Sequence, residues 1–222
     1  MENTEQKLEK QTYTVSANVY KITDPKTKTV AMASVSVASL LVINSVSVVD
    51  GKYGLFTNMP TANQPDSEGK YKPIVELSGE GVKSLTASMN KAVCSEYKEP
   101  TIKDKNATPE LPAYEVGVQV NLLKDMSGTT KAMATIDVKL PELTVTINNA
   151  TVREGENGLF VSMPSQKGKD GTYRDIAHSI NKELTQAINK LTLTAYDTKL
   201  SYRQNNEKAA ENQAKKNYDH QH

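Results

Sequence analysis

The amino-acid sequence predicts an α+β protein made of two tandem repeats, each an antiparallel β-sheet followed by one amphipathic helix. Two observations lead to this prediction. Several short motifs recur in the same order in the two halves of the chain, and each half changes from two-residue to helical hydrophobic periodicity at the same place. The composition agrees with a folded protein, since 37% of the 222 residues are hydrophobic and 24% are charged.

The repeat is carried by three motifs that each occur twice. In chain order the pairs are Tyr13-Thr-Val with Tyr114-Glu-Val, Ala31-Met-Ala with Ala132-Met-Ala, and Gly54-Leu-Phe with Gly158-Leu-Phe, the last followed in both copies by Met-Pro. They place the first repeat at 13–99 and the second at 114–200, joined by a linker at 100–113 rich in Pro, Lys, Asp and Asn. A polar arm at 1–12 and a polar tail at 201–222, whose composition favours a helix, flank the repeats.

The first part of each repeat has the periodicity of β-strands. Every second residue from Ala31 to Val37 is Ala or Val, and in the second repeat Val145 and Ile147 alternate with polar residues. Around 139–142 the second repeat carries three additional residues. Each repeat therefore begins as a run of strands with one apolar face.

The last part of each repeat has helical spacing. Its apolar positions are Leu85, Met89, Val93 and Tyr97 in the first repeat, and Leu184, Ile188, Leu191 and Tyr196 in the second. Ser179 or Asn181 is suited to cap the second helix, because short polar side chains accept hydrogen bonds from the first free backbone N–H groups. These stretches predict one amphipathic helix at the end of each repeat.

A unit of this size buries a smaller fraction of its surface than a larger domain does, so it gains stability by pairing. We therefore expect an intramolecular pseudo-dimer with a pseudo-two-fold axis, in which the repeats either pair sheet to sheet or exchange elements. Whether the whole chain is a monomer in solution or associates further stays open at this stage.

Composition also restricts the function. The formal net charge is +1, so the chain has no overall basic field of the kind that marks many nucleic-acid-binding proteins. A single cysteine, Cys94, excludes an internal disulfide and a zinc site of several thiolates. The first residues are polar and no long apolar run follows, which predicts a cytoplasmic protein without a membrane partner.

One contiguous stretch of the second repeat is distinctive enough to be compared with known protein families. It runs Gly158-Leu-Phe-Val-Ser-Met-Pro-Ser and continues through Lys-Asp-Gly-Thr-Tyr-Arg-Asp-Ile-Ala-His to Asn181. It resembles the signature of the SpoVG family, the stage V sporulation protein G or septation-regulator proteins. The first repeat is a diverged copy, with Lys72-Pro73 in place of Arg174-Asp175. The resemblance implies a dimer-forming β-sheet-plus-helix fold, a bacterial or phage origin, and DNA binding, with RNA binding in some members, in gene regulation.

The resemblance also implies where nucleic acid is contacted, in the loop after Met-Pro. The basic residues at the matching positions of this chain are Lys167, Lys169 and Arg174 in the second repeat, and Lys70 and Lys72 in the first. The resemblance implies that these residues contact nucleic acid. The family has a Lys-Arg pair directly after Met-Pro-Ser, whereas this chain has Gln166-Lys167, and the first repeat has no charge at the corresponding place. So few cations predict weak to moderate, salt-sensitive binding. The alternative is that these residues form a solvated turn around Asp170-Gly171.

Other combinations give little indication of chemistry. Asp175 and His178 have the spacing of an acid–base pair, but no Ser or Cys nucleophile accompanies them in a motif, so no catalytic residue is predicted. Asp175 is instead expected to cap or orient the chain entering the helix, with Arg174 or His178 as its partner. His220 and His222 are too few for a metal site, and Cys94 is expected to be a small core residue. The glycines lack nucleotide-binding spacings, so neither a metal nor a cofactor is predicted.

The sequence therefore predicts a non-enzymatic regulatory protein that binds DNA, and RNA as a second possibility. The alternative is a protein-interaction or scaffolding module, with a protein partner, that has lost nucleic-acid binding. The position of the charges separates the two hypotheses. Cations gathered on one face favour the nucleic-acid binder, whereas pairing with the nearby acids Asp66, Glu68, Asp170 and Asp175 favours the scaffold.

Overall fold

The computed structural model describes residues 13–62, 64–65, 67–99, 111–168 and 171–219, with side chains as far as residue 213. Within these residues the first repeat forms β1 (Val15–Lys21), β2 (Thr29–Val37), β3 (Leu41–Gly51), β4 (Gly54–Asn58), β5 (Val75–Ser78) and α1 (Val82–Lys98). The second repeat forms β6 (Glu115–Leu122), β7 (Thr130–Leu140), β8 (Leu143–Gly155), β9 (Gly158–Ser162), β10 (Ser165–Lys167), β11 (Tyr173–Asp175), β12 (Ala177–Ser179) and α2 (Lys182–Asp219). The predicted α+β class and the two sheet-then-helix repeats are confirmed.

Each repeat builds a three-stranded antiparallel meander, β1-β2-β3 in the first and β6-β7-β8 in the second. The far edge of β3 pairs with β4 over its second half, and the far edge of β8 pairs with β9 in the same way. The apolar residues predicted from the alternation face inward, since Ala31, Val35, Val145 and Ile147 are all fully buried. The additional residues at 139–142 lengthen the hairpin between β7 and β8.

The repeats exchange strands. β12 pairs with Leu41–Ile43 of β3, so a strand from the second repeat completes the first sheet. β5 pairs with Thr144–Ile147 of β8, so a strand from the first repeat completes the second sheet. Both are thus five-stranded antiparallel sheets that contain strands from each half of the chain. Of the two arrangements expected for the pseudo-dimer, the structure has the exchange of elements.

An asparagine in each central strand holds the exchanged segment. The backbone N–H of Asn44 donates to the carbonyl of Ile176 at 2.7 Å, and that of Asn148 donates to the carbonyl of Ile74 at 2.8 Å. The Asn44 side chain also donates to the carbonyl of Asp175 at 2.8 Å. Asn148 does the same to the corresponding carbonyl of the first repeat, at 3.3 Å. These matched bonds show that the pseudo-two-fold relation extends to individual side chains.

Each helix packs on the sheet of its own repeat. α1 covers β1, β2 and β4 with Leu85, Met89 and Val93, which are buried. α2 covers β6 and β9, and the side-chain oxygen of Asn181 accepts a hydrogen bond from the backbone N–H of Leu184 at 2.8 Å. Of the two residues predicted to cap this helix, Ser179 and Asn181, it is Asn181 that binds the first turn. Among the described residues, neither helix is both long enough and apolar enough to span a membrane.

The polar tail continues α2 without a break. At the last contact with the sheet, the Arg203 guanidinium donates to the carbonyls of Leu123 and Lys124, at 2.9 and 3.3 Å, in the loop after β6. It also forms an ion pair with Glu207 at 3.0 Å, one turn further along. Residues 204–213 are exposed. Arg203 therefore marks the point where α2 leaves the body of the protein.

Candidate nucleic-acid interface

The two loops that follow the Met-Pro dipeptides are equivalent in the structure. In the second repeat the two ends of the loop pair as the strands β10 and β11. In the first repeat the two ends are joined by a single β-bridge between Thr61 and Pro73. The carbonyl of each buried proline, Pro60 or Pro164, accepts a backbone hydrogen bond from the isoleucine that ends its loop. Since each loop runs directly into an exchanged strand, each lies at a crossing between the repeats.

The register of β10–β11 decides where the cations of the second repeat point. Lys167 lies opposite Tyr173, and Gln166 lies opposite Arg174. Because neighbouring strand residues point to opposite faces, Lys167 and Tyr173 share one face of the hairpin while Arg174 is on the other. Lys167 Nζ lies 6.0 Å from the centre of the Tyr173 ring. Lys169, also predicted to contact nucleic acid, lies outside the described residues, as does Asp170.

The cations of the first repeat have different surroundings. Lys70 Nζ forms an ion pair with the Glu68 carboxylate at 3.1 Å, and both side chains are exposed. Such a pair in water contributes little to stability, but it offsets the charge that Lys70 presents to a phosphate. Lys72 lines a groove of about 330 Å³ with Glu76, Asn121 and Asn148, on the second sheet. Asp66 lies outside the described residues.

The four predicted contact residues that the structure describes are therefore divided by the fold. Lys70 and Lys72 lie in the loop that leads into the second sheet, whereas Lys167 and Arg174 lie in the hairpin that leads into the first sheet. The pairing of Lys70 with Glu68 is the arrangement expected of a scaffold. Lys167 beside an aromatic ring is an arrangement compatible with binding. Their contact with nucleic acid stays a prediction.

These loops also carry two exposed tyrosines that no sequence motif singles out. Tyr71 is 56% exposed and Tyr173 is 67% exposed. They occupy equivalent positions, each immediately before the last basic residue of its loop, Lys72 or Arg174. The recurrence of Tyr before a basic residue in both repeats was the available signal. Its meaning depends on exposure, which the sequence alone does not give.

The structure brings Asp175 and His178 to one cavity. Both line a cavity of about 270 Å³ between β9, β12 and α2, together with Ser179 and Asn189. His178 Nδ1 is buried and has no hydrogen-bond partner among the described residues. The Ser179 hydroxyl is engaged with the carbonyls of Leu40 and Asn181, so it is not positioned as a nucleophile. Asn181, rather than Asp175, caps α2.

The remaining candidates are Cys94 and the two terminal histidines. Cys94 is partly buried on α1, with its Sγ 3.8 Å from the carbonyl oxygen of Leu55. Across the part of the chain that the structure describes, no three His, Cys, Asp or Glu side chains form a group that could hold a metal ion. His220 and His222 lie outside that part.

Comparison with known proteins identifies both repeats. The SpoVG family model matches residues 13–99 and again residues 115–198. A SpoVG septation protein of Lachnospira eligens is 49% identical over 51 residues, 23% of this chain and 58% of the relative. One of Macrococcus caseolyticus is 48% identical over 67 residues, 30% of this chain and 56% of the relative. One of Clostridium novyi is 37% identical over 89 residues, 40% of this chain and 88% of the relative. The first two matches span a little over half the length of the relatives.

Proposed function

Because the chain belongs to the SpoVG family, we propose that it is a regulatory protein that binds nucleic acid through its two post-Met-Pro loops. The observation that carries this proposal is the equivalent placement of these loops, which present Lys70, Lys72, Lys167 and Arg174 at the two strand crossings. We further propose that the protein is not an enzyme and that it acts in the cytoplasm.

The number of cations determines how strong this binding can be. Each phosphate neutralised by a lysine or arginine releases a counterion, which gives a slope of about −0.9 in a plot of log affinity against log salt for duplex DNA. Four contacting cations would give a slope of about −4. The acids Glu68 and Asp175 next to them lower the local potential. Binding should therefore be measurable at low salt and weak at physiological salt.

The test measures binding of the full chain to duplex DNA, single-stranded DNA and RNA over a range of salt concentrations. One variant combines Lys70→Ala with Lys72→Ala, and a second combines Lys167→Ala, Lys169→Ala and Arg174→Ala. The matched control is Lys190→Ala with Lys199→Ala, which removes two exposed lysines from α2. We expect each loop variant to weaken binding and to reduce the salt slope, while the control leaves both unchanged.

A protein-interaction or scaffolding module remains the second candidate. It is favoured by the ion pair of Lys70 with Glu68, by the division of the described cations between two loops, and by the nearly neutral net charge. The same experiment separates the candidates. Failure of the wild-type chain to bind any of the three nucleic acids at low salt would reject the first proposal in favour of the scaffold.

A further inference from the structure

Exposed aromatic rings are unevenly distributed between the repeats. Tyr20 and Tyr53 have Asn121 and Asn157 at the equivalent positions, so these exposed rings occur in one repeat only. Among the described residues, the exposed aromatic pairs that both repeats share are Phe56 with Phe160 and Tyr71 with Tyr173.

The phenylalanine pair has an evident structural role. The rings of Phe56 and Phe160 reach diagonally to Gly51 and Gly155 on the neighbouring strand, where an added Cβ would come within 2.7 and 3.1 Å of the ring. Each ring thus covers the bare backbone of the neighbouring strand, as aromatic residues commonly do beside strand glycines. The tyrosine pair is more exposed and lies in the loops where the cations are.

The surroundings of Tyr173 are those of a stacking surface. Its ring shares one face of the β10–β11 hairpin with Lys167, whose Nζ lies 6.0 Å from the ring centre. Proteins that bind single strands combine cations that follow the phosphates with aromatic rings on which bases stack. Because Lys167 Nζ lies over one face of the ring, the other face can hold a base while the lysine contacts a phosphate.

We propose that Tyr71 and Tyr173 stack on nucleobases, so that the protein prefers single-stranded nucleic acid over duplex. This inference deepens the proposed function and rests on it. In a duplex, the faces of the bases are covered by their neighbours, so only the phosphate contacts remain available. In a single strand, the same cations act together with stacking, which strengthens binding by roughly 5- to 150-fold for each base.

The test uses the full chain with two fluorescently labelled probes of equal length, an oligothymidylate and a mixed-sequence duplex. The first variant combines Tyr71→Leu with Tyr173→Leu, which removes the rings. The second combines Tyr71→Phe with Tyr173→Phe, which keeps them. The control is Tyr202→Leu, on α2, which removes a ring that is 68% exposed and lies outside the loops. Circular dichroism verifies that all variants fold.

We expect the leucine variant to bind the single strand at least tenfold more weakly, with unchanged duplex affinity and an unchanged salt slope. The phenylalanine and Tyr202 variants should behave as wild type. Stacking is overturned if the leucine variant keeps its single-strand affinity, or if it loses duplex and single-strand binding equally. A wild-type chain that binds neither probe rejects the nucleic-acid function itself, and stacking with it. Wild-type binding with an unaffected leucine variant rejects stacking alone.

Discussion

At the scale of single residues, Tyr13 is a buried group with an unsatisfied polar atom. Its side chain belongs to the core, and its hydroxyl has no hydrogen-bond partner among the described residues. Burial raises the pKa of this phenol, and the negative charge of Glu142, from the other repeat, raises it further. The ionised form is therefore disfavoured in the folded state.

Tyr13→Phe should be neutral or stabilising near pH 7, by up to about 1 kcal/mol, because it removes a buried hydroxyl that has no partner. The variant should differ more from the wild type in stability at alkaline pH. A raised folded-state pKa means that the stability contributed by neutral Tyr13 is present below pH 10, the ordinary value, and is lost as the pH rises above it. The difference in unfolding free energy between variant and wild type should therefore grow above that pH. Urea denaturation on both sides of it measures this, and a constant difference would contradict the prediction.

The candidate site shows what sequence can predict at this scale. The basic residues Lys70, Lys72, Lys167 and Arg174 could be named from the family motif. The sequence could not predict that Lys167 and Arg174 point to opposite faces. The face depends on the hairpin register, which places Lys167 opposite Tyr173. The same holds for Lys70, since its ion pair with Glu68 requires a particular turn.

At the scale of elements, the turn from β5 to α1 is tightly packed against the other repeat. Gly79 has φ +103°, a conformation that side chains rarely adopt, and an added Cβ would lie 2.4 Å from the Glu142 carbonyl oxygen. The neighbouring Gly81 donates its N–H to that same oxygen at 2.8 Å. The β7–β8 hairpin of one repeat is thus seated directly on the start of the helix of the other.

Gly79→Ala should therefore destabilise the protein by more than backbone strain alone. Gly54→Ala is a matched control, because Gly54 has φ +107° and an added Cβ there meets nothing within 4 Å. Strain at positive φ costs about 1–3 kcal/mol, and we expect Gly79→Ala to cost clearly more than Gly54→Ala because backbone has to move. Thermal and urea unfolding of the two variants measure the difference. If both variants lost the same unfolding free energy, the backbone at Glu142 would move aside for the added methyl group without an energetic penalty.

Elements with strong periodicity could be predicted from sequence, and the exchanged ones could not be placed. The alternation of β2 and β8 and the stripe of α1 follow from burial on one face, so the pattern itself reports the structure. β5 and β12 are only four and three residues long, too short to show a period. Their partners are β8 for β5 and β3 for β12, and both partners lie far away in sequence.

At the scale of the whole molecule, strand exchange makes each sheet depend on both repeats. The first sheet needs β12 and the second needs β5, and the buried residues of both form one continuous core. A substitution that destabilises one repeat should therefore also lower the stability of the other. In this respect the protein differs from two independent domains joined by a linker, in which each domain would unfold at its own denaturant midpoint.

Leu85→Ala tests this coupling. Leu85 is fully buried on α1 against the first sheet, and its truncation should cost about 2–5 kcal/mol through lost burial and the cavity left behind. Hydrogen exchange is followed at the amides of β2 and of β7, one strand from each repeat. If the pseudo-dimer unfolds as one unit, protection falls by a similar free energy in both strands, and urea unfolding stays a single transition. The exposed Lys91→Ala on the same helix should change neither strand. Loss of protection in β2 with wild-type protection in β7 would mean that the exchanged strands do not make the two sheets cooperative.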